Sequence, residues 1–174
     1  MTEYTLITDD TILVEGRNLF RIQLTEDHPR WGNAGTLGGY IESTQNLSGN
    51  AWVSDNARVF DNARVCGDAY IYRNARVYGE ACISGDAQVY GDAHVFGKAY
   101  VFDNAQVYGD AHVSGNAHVF GNAQVYDDAQ VYDDADVLGH SHVSGEAHVS
   151  GEAHVSGDAW VFGNAHVSGD TRIS

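Results

Sequence analysis

From Ala51 onward the apolar and polar positions fall into a unit of six, Ala-x-Val-x-(Gly/Asp)-(Asp/Asn). The unit runs without insertion from Ala51-Trp52-Val53-Ser54-Asp55-Asn56 to Asp170, twenty full hexads over residues 51–170, and Thr171-Arg172-Ile173-Ser174 begins another. Leu47, Ser48, Gly49 and Asn50 already keep the phase. A period of six excludes an amphipathic helix, because valines at that spacing would be smeared around a 3.6-residue turn. On a strand, residues two apart share a face, so Ala and Val point one way and the residue between them points the other. The Gly-Asp, Asp-Asn and Gly-Asn pairs tolerate left-handed backbone and make corners. Each hexad therefore predicts a very short strand and a corner, a unit that gains stability only by stacking on copies of itself.

This repeat resembles the left-handed parallel β-helix built from hexapeptide repeats, in which three hexads form one triangular coil. The resemblance covers about residues 45–174. It implies an all-β fold of about seven coils, a prism roughly 34 Å long at about 4.8 Å per coil. Val53, Val59, Val65 and Ile71 take the family's inward aliphatic position, and Ala51, Ala57, Ala63 and Ala69 the small position two before it. One departure stands out. The acyltransferase version of the repeat often carries Gly directly after the aliphatic residue, whereas here Tyr, Phe or Ser stands there and Gly comes one later.

Residues 1–44 lack the hexad. Tyr4–Thr8, Thr11–Val14 and Leu19–Leu24 read as strands, with turns at Asp9-Asp10 and Glu15-Gly16. The segment Gly35-Thr36-Leu37-Gly38-Gly39-Tyr40-Ile41-Glu42-Ser43 resembles a lead-in found on hexapeptide-repeat proteins of bacteria and their phages. The expectation is a small β cap over residues 1–44 and a β-helix over 45–174, since an open coil exposes strand edges. No such cap is expected after Asp170, which favours a homo-oligomer, either a dimer through that end or a trimer.

If the coil has three sides, residues 18 apart stack. The position between Ala and Val then forms three ladders. The first is Trp52, Tyr70, Gln88, Gln106, Gln124, His142 and Trp160; the second is Arg58, Arg76, His94, His112, Gln130, His148 and His166; the third is Arg64, Cys82, Tyr100, His118, Asp136, His154 and Arg172. After the valines, Tyr72, Tyr90, Tyr108, Tyr126 and Phe162 share one face, Phe60, Tyr78, Phe96 and Tyr132 a second, and Phe102, Phe120 and Leu138 the third. Rows of outward aromatics support one another as cross-strand pairs do, and they also suit an interface.

Charge narrows the function. The formal net charge is −15, which opposes direct binding to nucleic acid or anionic lipid. Between Ala99 and Thr171 there are eleven acidic residues and no Lys or Arg, and seven histidines are the only other titratable nitrogens. Asp92, Asp110, Asp127, Asp128 and Glu146 fall on one edge, Asp133, Asp134, Glu152 and Asp170 on a second, and Asp68, Asp86, Asp103 and Asp158 on the third. No stretch of 18 apolar residues and no secretory leader is visible, and the two cysteines, Cys66 and Cys82, suit reduced thiols; the expectation is the cytoplasm of a bacterial host.

Catalytic chemistry finds little footing. Hexapeptide enzymes include acyltransferases with a His general base and a trimeric zinc carbonic anhydrase. A base needs an orienting partner and a walled pocket, yet no insertion breaks residues 51–174. The histidines share their repeat slot with Gln and Arg, the pattern of drift in a duplicated unit. Neighbouring carboxylates are expected to favour the charged imidazole. No catalytic residue, metal or cofactor is assigned. Regular Thr or Ser rows for an ice-binding face are lacking. The reading is a non-catalytic acidic solenoid that binds a protein partner with a basic surface. A phage-type inhibitor in the basic groove of a nucleic-acid-binding host protein is its narrower form; an acyltransferase-like enzyme and a self-assembling structural solenoid are the alternatives.

Overall fold

Every corner of the repeat places one residue at positive φ, and that turn geometry sets the architecture. Gly49, Gly67, Gly85 and their successors lie at φ between 62° and 77°, and Asp55, Asp61, Asp103, Asp127 and Asp133 take the same conformation at 57° to 60°. The computed structural model describes residues 2–174, and it forms a parallel β-solenoid of about seven turns.

Strands β1 (Tyr4–Val14), β2 (Arg17–Leu24) and β3 (Leu37–Ile41) precede the repeat. From β4 (Trp52–Val53), β5 (Arg58–Val59) and β6 (Arg64–Val65), two-residue strands recur every six residues up to β24 (Arg172–Ile173). Three parallel sheets result, and their partners are 18 residues apart, as in Val53↔Ile71, Val59↔Val77 and Val65↔Ile83. Two sheets hold seven strands each; the third holds seven repeat strands preceded by β1, β2 and β3. The ladders drawn from the 18-residue offset are the sheets of the structure. Up to three backbone N–H groups per hexad donate to the next coil, as in Trp52 to Ala69, Ser54 to Ile71 and Asn56 to Arg73, at 2.9 to 3.0 Å.

The interior is one continuous cluster from Ile22 to Val167. Within the interior coils the Ala and Val positions are fully buried, and each valine contributes on the order of 1.5–3 kcal/mol of apolar burial. Ser141 replaces one Ala and remains buried because its Oγ donates to the Leu138 carbonyl at 2.8 Å.

The N-terminal segment departs from expectation in one respect. Asp9-Asp10 makes no turn; β1 runs through it with an irregularity between Ile7 and Thr11. The reason is that Asp10 has partners within the segment. Arg21 Nε donates to its Oδ2 at 2.7 Å and the Tyr40 hydroxyl to its Oδ1 at 3.1 Å. The expected turn at Glu15-Gly16 forms, with both residues at positive φ.

β3 pairs antiparallel with β2 on one side and parallel with β5 on the other, Tyr40↔Arg58 and Ile41↔Val59. The offset is again 18, so Gly39-Tyr40-Ile41 sits where an Ala-x-Val would sit one coil earlier. Gly39 cannot be alanine: a Cβ there would meet Val53 Cγ1 and the Ala57 carbonyl, each at 2.7 Å. Asn46, in a 3-10 turn at Thr44–Asn46, is buried. Its amide donates to the Asp61 and Ala63 carbonyls, at 3.0 and 2.9 Å, and its Oδ1 accepts the Ser43 N–H at 2.9 Å.

Candidate functional site

A side chain that follows each valine leaves the sheet at a corner, and identical neighbours one coil apart can adopt the same rotamer and stack. Tyr72, Tyr90, Tyr108 and Tyr126 do so, with ring centroids 4.7, 4.8 and 5.0 Å apart and planes within 11° of parallel. The column continues toward the N-terminus through Tyr70, Trp31 and His28. Trp31 was invisible to the repeat pattern because it lies in the irregular lead-in; its Nε1 donates to the Asn50 carbonyl at 2.7 Å.

Phe162, expected at the far end of this column, stands outside it. Ser144 replaces the ring one coil below, and His142 meets Tyr126 edge-on at 6.2 Å and stacks on Trp160 at 4.5 Å. Phe162 is left 65% exposed. On the other faces Phe60, Tyr78 and Phe96 form a second column and Phe102 and Phe120 a third. Burial, then Tyr90, Tyr126 and Asp127, push the Tyr108 phenol up to about 12.

The eight carboxylates singled out from sequence are all exposed, but they divide by what they touch. Asp127 and Asp133 occupy the positive-φ corner, and their Oδ2 atoms accept the N–H of Gly145 and Gly151 one coil on, at 3.3 and 3.2 Å. Asp92 and Asp134 accept from the amides of Asn74 and Asn116, at 3.0 and 2.8 Å. Asp110, Asp128, Glu146 and Glu152 make no side-chain hydrogen bond or ion pair among the described residues. Because the tyrosine of each hexad directly precedes the corner, the Tyr72–Tyr126 column runs alongside the edge that carries Asp92, Asp110, Asp127 and Asp128.

The three arginines of the lead-in are paired, Arg17 with Glu42 and Asp61, Arg21 with Asp10, and Arg30 with Asp86, whereas Arg58, Arg64, Arg73 and Arg76 of the early coils make no ion pair among the described residues. Between Ala99 and Thr171 there is no Lys or Arg.

The histidines behave individually. His94 contradicts the expectation that carboxylates hold the imidazoles charged. Its pKa is lowered by burial, then by His112 and Arg76, against the weaker pull of Asp92 and Asp110. His118 and His154 clamp Asp136, Nδ1 to carboxylate oxygens at 2.9 and 3.2 Å. The ladder put these three in line, but a ladder alone does not say that the middle side chain reaches both neighbours. Among the described residues, no group of three or more His, Cys, Asp or Glu side chains is placed to hold a metal ion.

A family model of the YdcK β-solenoid repeat matches residues 51–67 and 105–121. The chain is a β-solenoid repeat protein. Both matched stretches lie within the coils of the repeat, so the likeness concerns the scaffold. No curated protein matches the chain, and no helix among the described residues is long and apolar enough to cross a membrane.

Proposed function

We propose that the chain is a non-catalytic, left-handed hexapeptide solenoid, closed at its first coil by residues 1–44, that binds a partner protein with a basic surface. One observation carries this reading: exposed carboxylates line two edges beyond Tyr90, one of them beside a continuous aromatic column, in a section with no Lys or Arg between Ala99 and Thr171. Like charges held at fixed positions on a rigid coil cannot relax apart, so an approaching cationic surface relieves them. The adjacent tyrosines supply flat, half-buried area of the kind enriched at interface centres.

The narrower form is a partner whose basic groove otherwise takes nucleic acid, as a phage-type inhibitor would occupy it. Carboxylates repeat at about 4.8 Å per coil, against one charge per roughly 1.7 Å along duplex DNA. Such a rod would match the groove's overall charge and not its phosphate contacts one by one.

The test is affinity capture from nuclease-treated bacterial lysate, with the parent chain and a variant carrying Asp110→Asn, Asp127→Asn, Asp128→Asn, Asp133→Asn and Asp134→Asn. The expected result is a basic protein retained by the parent at low salt, released by high salt and absent from the variant. Retention that is equal on both, or independent of salt, would overturn the reading.

A further inference from the structure

The second aromatic column has a missing rung. After the valines of its sheet come Phe60, Tyr78, Phe96, Ser114, Tyr132, Ser150 and Ser168, so Ser114 is the serine with a ring in the coil on either side. The first three rings stack at 5.1 and 5.0 Å with planes 4° and 3° from parallel. Serine then stands where the repeat would place a ring. Phe96 and Tyr132 are two coils apart, about 9.6 Å, which leaves the thickness of one planar group between them. A cavity of about 440 Å³ lies there, lined by Phe96, His112, Ser114, Gln130, Tyr132 and Asp133.

Two other serines in the after-valine position, Ser54 and Ser144, are closed by a neighbour. Ser54 is covered by Tyr70, whose hydroxyl lies 2.8 Å from its Oγ. Ser144, between Tyr126 and Phe162, is 7% exposed, with the stacked His142 and Trp160 beside it. The residue that stands to Ser114 as Tyr70 stands to Ser54, 16 positions on, is Gln130, which has no ring to fill the gap.

The walls select the occupant. Two aromatic faces favour a flat group, and the carboxylate of Asp133 favours a positive one. Only one of its oxygens is engaged, by the Gly151 N–H at 3.2 Å. Ser114 and Gln130 add further acceptors. A guanidinium is planar, permanently charged and weakly hydrated, stacks on aromatic rings, and presents donors at its edge. An ammonium lacks the flat shape, and a neutral ring leaves the carboxylate without a partner. The nearest cation in sequence, Lys98, is exposed and does not line the cavity, and no Lys or Arg lies between Ala99 and Thr171, so the chain supplies no occupant of its own. We propose that the slot between Phe96 and Tyr132 receives the guanidinium of an arginine presented by the partner protein. This rests on the basic-partner reading and names the side chain that the solenoid grips.

The experiment is a proton NMR titration of the full chain at pH 8 with doubly capped arginine, lysine and tryptophan. Capped arginine is expected to saturate in the millimolar range, with its side-chain methylene signals moved upfield by the flanking rings. Capped lysine and tryptophan should bind at least tenfold more weakly. Ser114→Phe completes the stack and closes the slot, so it should keep the fold by circular dichroism and lose arginine binding at least tenfold. Tyr132→Ser, which removes one wall, should do the same by another route. Equal response to lysine would reduce the effect to diffuse charge, preference for tryptophan would make the slot a neutral aromatic site, and undiminished binding in both variants would place the contact elsewhere; each overturns the proposal. Capture of the same basic protein by Ser114→Phe as by the parent would remove the slot while leaving the acidic-edge reading intact. Arginine binding without any captured basic protein would do the reverse.

Discussion

Asp127 allows the corner role of an acidic residue to be separated from its charge. Its φ is 58°, and its Oδ2 accepts the Gly145 N–H at 3.3 Å. Asn keeps both the tolerance for left-handed backbone and an acceptor in the same place. Asp127→Asn should therefore leave stability within about 0.5 kcal/mol, with any change favourable because Asp110 and Asp128 are close in the fold. Asp127→Gly loses the acceptor, about 0.5–1 kcal/mol at an exposed site, but relieves backbone strain. Asp127→Ala loses the acceptor and retains a Cβ in the left-handed region, where the penalty is about 1–2 kcal/mol. The sum for alanine is about 1.5–3 kcal/mol. Urea unfolding followed by far-ultraviolet circular dichroism should rank the midpoints Asn, then Gly, then Ala. Alanine as stable as asparagine would refute the corner argument, and asparagine as damaging as alanine would show that the charge itself holds the coil.

Three further outcomes follow from the same geometry. An ultraviolet titration should find Tyr4, Tyr72, Tyr78, Tyr90 and Tyr108 ionising above the ordinary phenol value, Tyr108 at about 12; the unfolded chain releases these protons near pH 10, so stability should fall as pH rises from there. His94, whose folded pKa is lowered, takes up its proton more readily when unfolded, so it should destabilise the fold as pH drops below about 6.5; an imidazole NMR signal titrating at or above that value would contradict this. Asn46→Ala strips the partners from one buried and one half-buried carbonyl and from one N–H, and should lower stability by about 2–4 kcal/mol in the same urea assay, whereas a loss below about 0.5 kcal/mol would show that water replaces the amide.

The coil, its three sheets and the membership of each ladder were legible because the repeat is local and gapless: once Val53 and Ile71 are known to stack, so is every residue between them. The lead-in was less legible. Gly39-Tyr40-Ile41 keeps the coil's register, but it is a single copy with glycine in the alanine slot, and no period marks it. Asp9-Asp10 has the composition of a turn, and only Arg21 and Tyr40, distant in sequence, hold it in a strand. At the surface, the pattern placed the four tyrosines correctly in one column and the carboxylates on their edges. It could not show that His142 and Trp160 interrupt the approach to Phe162, or that Gln130 leaves the space over Ser114 open. Those outcomes depend on which way long side chains lean between coils, a choice made by packing and not by position in the hexad.

The core repeats every six residues, whereas contacts between coils join residues 18 apart. A deletion of one hexad, residues 105–110 for example, would return Ala and Val to the interior and preserve the prism. It would also pass every later residue to a different side, setting Tyr126 in line with Phe102 and bringing Ser114 into line with Tyr90. Removal of 18 residues would shorten the rod by one coil and keep every column straight. Changes in length thus act on two separate levels, since the interior accepts any multiple of six while the pattern displayed to a partner survives only in whole turns.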